Sequence, residues 1–285
     1  MKELRIDAVE RIDDFRRCLA IQKETWRFDD IDVVPLHVLI TAAHTGGLVL
    51  GAWVQDEMVG FVFGFAGLDS AGTPYHHSHM AAVLPDYRGL GIGYALKREQ
   101  AQRLAQQGTQ LIVWTYDPLE ARNAHFNLNR LGAIARTYLV NHYGILGGGL
   151  NAGLESDRFR VEQWLNSNRV NARLNGALTR SAPALFRATT WPADWCEASP
   201  RPPDVVPTVS LPETLIEIPA DFQQIKQEDM GLARAWRAYF RQICMDAFSR
   251  GFAVVSLWRR PASAGSAQPI QTYYHFRPLP SGPLP

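Results

Sequence analysis

The segment with the most specific chemical potential is a glycine-rich loop, Arg88-Gly89-Leu90-Gly91-Ile92-Gly93. The residues around it predict a strand that enters the loop and a helix that leaves it. The first four amides of a helix lack partners within the helix, and the helix dipole adds positive potential there. Glycines let the backbone approach an anion closely, and Arg88 adds a fixed positive charge. The loop therefore predicts an anion-binding site.

The order of the residues in the loop disfavours two common nucleotide sites. The loop does not follow G-x-x-x-x-G-K-[ST], so an NTP-binding loop is not indicated. It also departs from G-x-G-x-x-G, and no acidic residue stands at an evident spacing for ribose binding. Taken as glycines alone, the segment is equally typical of a tight strand-to-helix turn without a ligand.

The residues around the loop resemble a known family. The run Val83-x-Pro85-x-x-Arg88-Gly89-x-Gly91-Ile92-Gly93 looks like the signature of the GCN5-related N-acetyltransferases (GNAT), which carry R-x-x-G-x-G/A after their fourth strand. Asn123-Ala124, followed by Leu131-Gly132, resembles the next strand-helix unit of that family. The resemblance covers the first half of the chain. Two further runs resemble a bacterial branch with an extended C-terminal region: Trp114-Thr115-Tyr116-Asp117-Pro118-Leu119 and Asn141-His142-Tyr143-Gly144.

The resemblance implies an acyl-CoA-dependent N-acyltransferase with acetyl-CoA or another acyl-CoA as co-substrate. Val83 would bond the pantetheine arm through its backbone, and Asn123 would contact CoA, although an ordinary amide on a helix surface fits Asn123 equally well. The expected acceptor is the amine of a small molecule, for example an amino acid, and succinyl is a second candidate acyl group. The loop residues that would hold the CoA pyrophosphate are Arg88, Gly89, Leu90, Gly91, Ile92 and Gly93.

Acyl transfer to an amine needs a proton acceptor and a group that polarises the thioester carbonyl. In the family, a bulge in the fourth strand presents a backbone amide to the carbonyl, and Ala82, Val83 or Leu84 is expected to supply it here. The strand begins His76-His77-Ser78-His79, and its period of two places His77 and His79 on one face and His76 and Ser78 on the other. Histidine titrates near neutral pH, so His79 and His77 are the candidate bases, with His79 nearer the bulge. Solvated or merely hydrogen-bonded histidines remain the alternative.

One position departs from the family pattern. Many members carry a Tyr that protonates the leaving thiolate, whereas Leu128 stands at the matching position. Tyr138 or Tyr143 could replace it, although packing is the simpler role for each. The departure motivates a second hypothesis, a non-catalytic acyl-CoA-binding sensor module.

Arg158, in Ser156-Asp157-Arg158-Phe159-Arg160, is the candidate substrate-binding residue outside the loop. Arginine pairs well with carboxylates, so Arg158 or Arg160 could hold an amino-acid acceptor or a diacid acyl group. A local ion pair between Asp157 and Arg158 is the alternative.

The element pattern predicts an α/β fold with a mixed sheet, similar to the GNAT acyl-CoA N-acyltransferase fold, and a C-terminal α/β extension. Hydrophobic periodicity and turn residues define the first half. Asp117, Pro118 and Glu120 are expected to begin a helix that ends before Gly132. The elements predicted for the first half are a helix (Ile12–Trp26), a hairpin (Leu48–Val54 and Met58–Leu68), a strand (His76–Leu84), a helix (Gly91–Gln107), a strand (Gln110–Tyr116), a helix (Asp117–Leu131) and a strand (Ala133–Tyr143).

The second half is predicted to be less regular. An amphipathic helix (Glu228–Arg250) and a strand (Phe252–Trp258) follow a proline-rich stretch at 181–220. The tail from Pro261 is rich in Pro, Ser, Gly and Ala, so we expect it to be loose. The expected domains are residues 1–150 for CoA binding, 151–260 as an extension or partial second α/β domain, and 261–285 as the tail.

Bulk composition narrows the function classes. The 285 residues are 46% hydrophobic and carry a formal net charge of +1, which gives no broad electrostatic case for nucleic acid or membrane surfaces. Three dispersed cysteines favour neither a disulfide framework nor a metal site, and they fit a reduced compartment. We therefore expect a cytoplasmic protein with a small-molecule partner and no metal, and a homodimer is left open.

Overall fold

Strands and helices alternate in a mixed order along the chain. The computed structural model describes residues 3–145, 153–176, 201–203, 206–210, 213–260 and 271–279. The strands are β1 (Leu4–Ala8), β2 (Leu48–Val54), β3 (Glu57–Leu68), β4 (Pro74–Val83), β5 (Leu111–Tyr116), β6 (Ile134–Leu139), β7 (Arg158–Trp164), β8 (Thr214–Ile218), β9 (Phe252–Arg260) and β10 (Gln271–Pro278). The helices are α1 (Ile12–Trp26), α2 (Leu36–His44), α3 (Ile92–Gln106), α4 (Ala121–Ala124), α5 (Asn168–Leu174), α6 (Phe222–Glu228) and α7 (Met230–Ser249). The predicted mixed α/β fold is confirmed.

Two compact units divide the described residues. The first contains the residues up to Trp114, with Gly153 and Glu162–Ser167. The second contains Thr115–Ile145, Leu154–Val161 and the residues from Asn168 onward. These units are interleaved along the chain and do not follow the ranges 1–150 and 151–260, which stay a prediction about domain organisation.

A mixed sheet organises the first unit. Its strands lie in the order β1-β2-β3-β4-β5, with antiparallel pairing up to β4 and parallel pairing between β4 and β5. Parallel strands need a crossover connection, which α3 provides. The hairpin β2–β3, the helix α1 and the β4-α3-β5 unit lie where the sequence predicts them.

Glycine lets β4 approach β3 closely at Gly64. A Cβ atom at Gly64 would lie 2.5 Å from the carbonyl oxygen of His77 and 2.2 Å from Nε2 of His76. The pairing register shifts beside Gly64, where Phe63 faces Met80 and Gly64 faces Ser78, so the strand bulges at His79. The close approach that embedded glycines suggest is therefore found at this position.

Replacing Gly64 by Ala is expected to lower the free energy of unfolding by about 1–3 kcal/mol, because the added methyl group must displace backbone atoms of β4. Equilibrium urea unfolding measures the loss. Gly93→Ala is the matched control, since its Cβ would meet Val83 at an ordinary 3.8 Å and the residue lies in a helix. Equal stabilities for the Gly64→Ala variant and the wild type would contradict the close approach.

Aromatic packing and the long helix α7 organise the second unit. Its strands lie in the order β7-β6-β9-β10-β8, and β9 pairs antiparallel with β10. Helix α7 begins with an N-cap, because the Asp229 carboxylate accepts from the amide of Leu232 at 2.9 Å. The fully buried Phe159, Phe240 and Tyr274 pack against one another with ring centroids 5.3–5.9 Å apart. The predicted helix over 228–250 and the strand over 252–258 are confirmed.

The second unit differs from the sequence expectation at two places. Helix α4 begins at Ala121 and continues as a π-helical turn over His125–Arg130, so Asp117 does not cap it. Residues 271–278 form β10 instead of a loose tail, because pairing with β8 and β9 and burial of Tyr273 and Tyr274 order this segment. Most of the proline-rich stretch lies outside the described residues.

Candidate functional site

The glycine-rich loop leads from β4 into α3, as the sequence predicts. A single 3-10 turn over Pro85–Tyr87 precedes it, and α3 begins at Ile92 with Gly91 as N-cap. Gly89 and Gly91 both adopt φ of +82°, a left-handed conformation that favours glycine. A Cβ atom at either position would have no heavy atom within 4 Å, so the space above the loop is open. The backbone conformation, and not crowding, accounts for these two glycines.

Charge and apolar surface flank the loop amides. The Nε atom of Arg88 donates to the carbonyl oxygen of Val83 at 3.2 Å, which holds the guanidinium stem beside the end of β4. Leu90 is 67% exposed, whereas the Ile92 side chain is buried in the core of the first unit. An exposed set of helix N-terminal amides beside an arginine is suited to a phosphate group.

The two candidate bases lie together on one face of β4. The ring centroids of His77 and His79 are 5.9 Å apart. Phe65 stacks on His77 at 5.2 Å, and Phe63 meets the edge of His79 at 5.7 Å. The predicted separation of the strand faces is confirmed, since His76 and Ser78 contact α3 instead.

The electrostatics of His79 suit a proton acceptor. His79 is exposed, and desolvation by the protein around it lowers the pKa of its imidazole from the ordinary value of 6.5, so the neutral ring predominates at physiological pH. A neutral imidazole can accept a proton from an attacking amine.

A polar cluster that sequence reasoning missed lies on the opposite face of β4. The Lys97 ammonium donates to Oγ of Ser78 at 2.8 Å and to Oε1 of Gln100 at 2.7 Å. The Ser78 hydroxyl donates to Gln100 Oε1 at 3.0 Å, and Gln100 Nε2 lies 3.3 Å from His76 Nε2. Each of the four side chains is at most 4% exposed. The available sequence signal was the position of Lys97 and Gln100 within the buried stripe of α3.

The bulge in β4 lies elsewhere than the sequence analysis expects. Ala82 and Val83 pair in regular register with Phe61 and Gly60, and the Leu84 amide donates to the Val59 carbonyl oxygen at 2.9 Å. The irregular position is His79. The assignment of the bulge to residues 82–84 is therefore corrected, and its physical reason is the close approach at Gly64.

The second unit holds the other predicted residues. Asn123 is exposed on α4, while Leu128 is fully buried in the π-helical turn. Burial foremost, with nearby Asp157 next, raises the pKa of Tyr138 well above its usual range. The Tyr138 hydroxyl donates to Asp157 Oδ2 at 2.7 Å. Tyr143 is 45% exposed and its hydroxyl lies 3.1 Å from Thr115 Oγ1.

Arg158 is 7% exposed and belongs to a buried ionic group. It donates to the backbone carbonyl oxygen of Asp157 at 2.9 Å and lies 3.8 Å from the Asp117 carboxylate. The carboxylate of Asp157 is bound by Arg241 at 2.8 Å, and the hydrogen bond of Arg158 to Asp157 goes to the backbone carbonyl oxygen. Arg237 binds Asp117 with two hydrogen bonds of 2.7 and 2.6 Å. The role of Arg158 in substrate binding stays a prediction.

The described residues contain no evident metal cluster and no helix suited to a membrane. Among them, no group of three or more His, Cys, Asp or Glu side chains is arranged to hold a metal ion. In the same part of the chain, no helix combines the length and apolar character that a bilayer crossing needs.

The chain matches a family of known proteins over part of its length. Residues 12–132 match the model of the acetyltransferase (GNAT) family. No curated protein matches the chain in sequence.

Solved structures with a similar backbone include three acetyltransferases. The ribosomal-protein-S18-alanine N-acetyltransferase from Escherichia coli has 18% identity and a TM-score of 0.47 over 57% of this chain and 94% of its own. A GNAT-family acetyltransferase from Streptococcus pneumoniae has 16% identity and a TM-score of 0.47, over 57% of this chain and 99% of its own. Arabidopsis thaliana Naa50, with a bisubstrate analogue bound, has 18% identity and a TM-score of 0.44 over 56% of this chain and 97% of its own.

Proposed function

Because residues 12–132 form a domain of the acetyltransferase (GNAT) family, we propose that this protein is an acyl-CoA-dependent N-acyltransferase that transfers an acetyl or succinyl group to the amine of a small molecule, such as an amino acid. The observation that carries the proposal is the loop at Gly89 and Gly91. Both glycines adopt a left-handed conformation directly before α3, and the space beside them is free of protein atoms. They lie within the segment that matches the family.

The residues of the loop fit the pyrophosphate of CoA. The N-terminal amides of α3 and the guanidinium of Arg88 supply hydrogen-bond donors and positive charge. The open space above Gly89 and Gly91 leaves room for phosphate oxygens. Val83 would bond the pantetheine arm, and Asn123 would contribute a further CoA contact.

The reaction follows from the chemistry of a thioester and an amine. The amine nitrogen forms a bond to the carbonyl carbon, the C–S bond breaks, and CoA leaves as the thiolate. His79 accepts the proton that the amine loses, with His77 as the neighbouring alternative. The thiolate takes its proton from solvent, because a thiol is acidic enough to leave without a dedicated acid. Arg158 would hold a carboxylate of the acceptor or of the acyl group.

Release of free thiol tests the function directly. Purified protein is mixed with acetyl-CoA or succinyl-CoA and a panel of amino acids and other small amines, and thiol release is followed with time. Turnover with any pair supports the proposal. Binding of CoA without turnover across the panel would favour the sensor module, which the buried Leu128 at the position of the family acid motivates.

Replacing His79 by Gln is expected to lower kcat about 100-fold or more, because the proton acceptor is lost. The pH limb that belongs to His79 should lie below pH 6.5, since its pKa is lowered, and it should vanish in the variant. The exposed His37→Gln serves as control, and His77→Gln tests the alternative base. Unchanged kcat in the His79→Gln variant would exclude His79.

The proposal includes a cytoplasmic location. Cys18 and Cys244 are buried free thiols, as expected in the reducing cytoplasm. A homodimer stays a prediction, and light scattering on the purified protein measures it.

A further inference from the structure

We propose that Lys97 is a positioning residue whose ammonium ties α3 to both β4 and β5 where these strands stop pairing, and that this tie sets the affinity for acyl-CoA. The affinity part rests on the proposed function. The tie itself is a feature of the first unit.

The place of Lys97 in the sheet supports the proposal. Strands β4 and β5 pair at His76–Ile112 and His77–Val113. The next residues along the two strands are Ser78 and Trp114. Lys97 contacts both, with Nζ 2.8 Å from Ser78 Oγ and 4.1 Å from the centroid of the Trp114 ring. One side chain of α3 therefore touches both strands at the end of their ladder.

The phosphate loop precedes the same helix, a few residues before Lys97. Helix α3 begins at Ile92, directly after the loop, and Lys97 lies in its second turn. A shift of α3 against β4 or β5 would move the loop amides relative to His79. A rigid connection at Lys97 therefore holds the anion site and the candidate base in a fixed relation.

The contact of Lys97 with β5 depends on its charge, because each of the three N–H groups of the ammonium has a different partner. An ammonium has three N–H groups, and Ser78 and Gln100 use two of them. The third directs positive charge at the face of Trp114, which is an attractive cation–π contact. A neutral amine can keep the first two hydrogen bonds but presents its lone pair to the ring. Loss of the proton thus removes the attraction to the Trp114 ring on β5 and leaves the bond to β4 intact.

The surroundings allow the charge to change near neutral pH. Both hydrogen-bond acceptors are neutral oxygens, and burial lowers the pKa of Lys97 to about 7. His76 on β4 faces it through Gln100, but burial foremost, together with Lys97 and His77, lowers the pKa of His76 to about 4, so His76 stays neutral.

The remaining ionisable groups on strands that pack against α3 have other partners. On β1, Asp7 pairs with Arg103 and lies 3.7 Å from Arg5, and Glu57 on β3 binds Tyr87 and Arg17. Strand β2 has no ionisable side chain. The charge of Lys97 influences His76, but His76 is neutral across the range in which Lys97 titrates, so the two titrations do not overlap.

Isothermal titration with CoA at pH 6 and pH 9 tests the tie. Lys97→Met should bind CoA about tenfold more weakly than the wild type at pH 6, and the difference should be clearly smaller at pH 9, where the wild type has lost its attraction to Trp114 and keeps only the bond to Ser78. Arg98→Met, which removes the exposed cation next in sequence, should follow the wild type at both values. Trp114→Leu, which keeps the lysine and its hydrogen bonds but removes the ring, should likewise lose more affinity at pH 6 than at pH 9. Dividing the CoA affinity of each variant by that of the wild type at the same pH cancels the effect of titrating CoA itself.

If the ratio of the CoA affinities of Lys97→Met and the wild type is the same at both pH values, the proposal is overturned. A purely structural role of Lys97 would cost the same affinity at every pH. Equal affinities at pH 6 would overturn it as well. Lack of CoA binding by the wild type would instead overturn the proposed function, and hydrogen exchange then decides the tie. At pH 6, amides 112–114 should exchange about tenfold faster in Lys97→Met than in Arg98→Met when each rate is divided by that of the β2 amides in the same variant, and equal ratios refute the tie.

Carbon-13 labelling of the lysine side chains gives a direct view of the proton. The chain has four lysines, Lys2, Lys23, Lys97 and Lys226, so the Lys97 signal is identified by its absence in Lys97→Met. It should titrate near pH 7. A pKa near 10.5, the usual value for lysine, would show that the ammonium is not held as described, and it would overturn the pH dependence of the contact with Trp114.

Discussion

Replacing Arg237 by Met is expected to lower the free energy of unfolding by about 3–5 kcal/mol. Arg237 is 3% exposed and holds both carboxylate oxygens of Asp117. Burial opposes the charged guanidinium, but the contacts with Asp117 outweigh that effect and raise the pKa of Arg237. Removing the arginine leaves the Asp117 carboxylate with Arg158 at 3.8 Å as a weaker partner. A buried carboxylate that loses its main partner is strongly destabilising.

Urea unfolding of three variants separates the ion pair from general effects of mutating α7. Arg234→Met, an exposed arginine one turn earlier on the same helix, should change the stability by less than about 0.5 kcal/mol. The double variant Asp117→Asn, Arg237→Met should lose less than the two single variants together, since neither charge is then left alone. Additive losses would contradict a direct pairing of these two residues.

Replacing Lys97 by Met is expected to change how stability depends on pH. Burial lowers the pKa of Lys97 to about 7 in the folded protein, whereas an unfolded lysine titrates near 10.5. Between these values the unfolded chain holds a proton that the folded protein lacks, so raising the pH favours folding. The lysine contributes a slope of roughly 1.4 kcal/mol per pH unit in this window and none below pH 7.

Chemical unfolding of the wild type and Lys97→Met from pH 6 to pH 10 measures this contribution. Relative to Lys97→Met, the free energy of unfolding of the wild type should be lowest at pH 6 and should rise steadily above pH 7. Arg98→Met should run parallel to the wild type, because Arg98 is exposed. Parallel curves for Lys97→Met and the wild type would show that Lys97 keeps its ordinary pKa in the fold.

The sequence could predict the loop because its determinants are local. Glycine at positions 89 and 91 matches a left-handed backbone conformation, and the strand before it and the helix after it have clear patterns. The same is true of His77 and His79, whose shared face follows from strand periodicity. These elements need few distant partners to be defined.

Features that depend on distant contacts escaped prediction. The bulge at His79 depends on Gly64 in the neighbouring strand, and the position of the bulge was therefore wrong. Asp117 has good helix-capping chemistry, but its carboxylate is bound by Arg237, which is 120 residues away in sequence. Strand β10 carries the strand-favouring residues Thr272, Tyr273, Tyr274 and Phe276, but they stand within a tail rich in Pro, Ser and Gly, and pairing with β8 and β9 orders the strand.

The buried polar cluster of Lys97, Gln100, Ser78 and His76 has a recognisable signal in the sequence. The buried stripe of α3 contains Ile92, Leu96 and Leu104, and Lys97 and Gln100 lie within it. Charged or amide side chains at such positions require polar partners inside the protein. The partners, His76 and Ser78, occupy the strand face opposite the candidate bases. Reading the two patterns together would have predicted a buried polar contact between α3 and β4.

Affinity for CoA in a matched pair of glycine variants tests the central claim, that the loop at the start of α3 holds the pyrophosphate. Gly91 and Gly108 lie at opposite ends of α3, with φ of +82° and +84°, and a Cβ at either would meet no atom within 4 Å. Alanine should therefore strain both equally, by about 1–2 kcal/mol. Isothermal titration should show Gly91→Ala binding CoA at least about tenfold more weakly than Gly108→Ala, because only Gly91 adjoins the phosphate amides. Equal affinities for the two variants would contradict a CoA site at this loop.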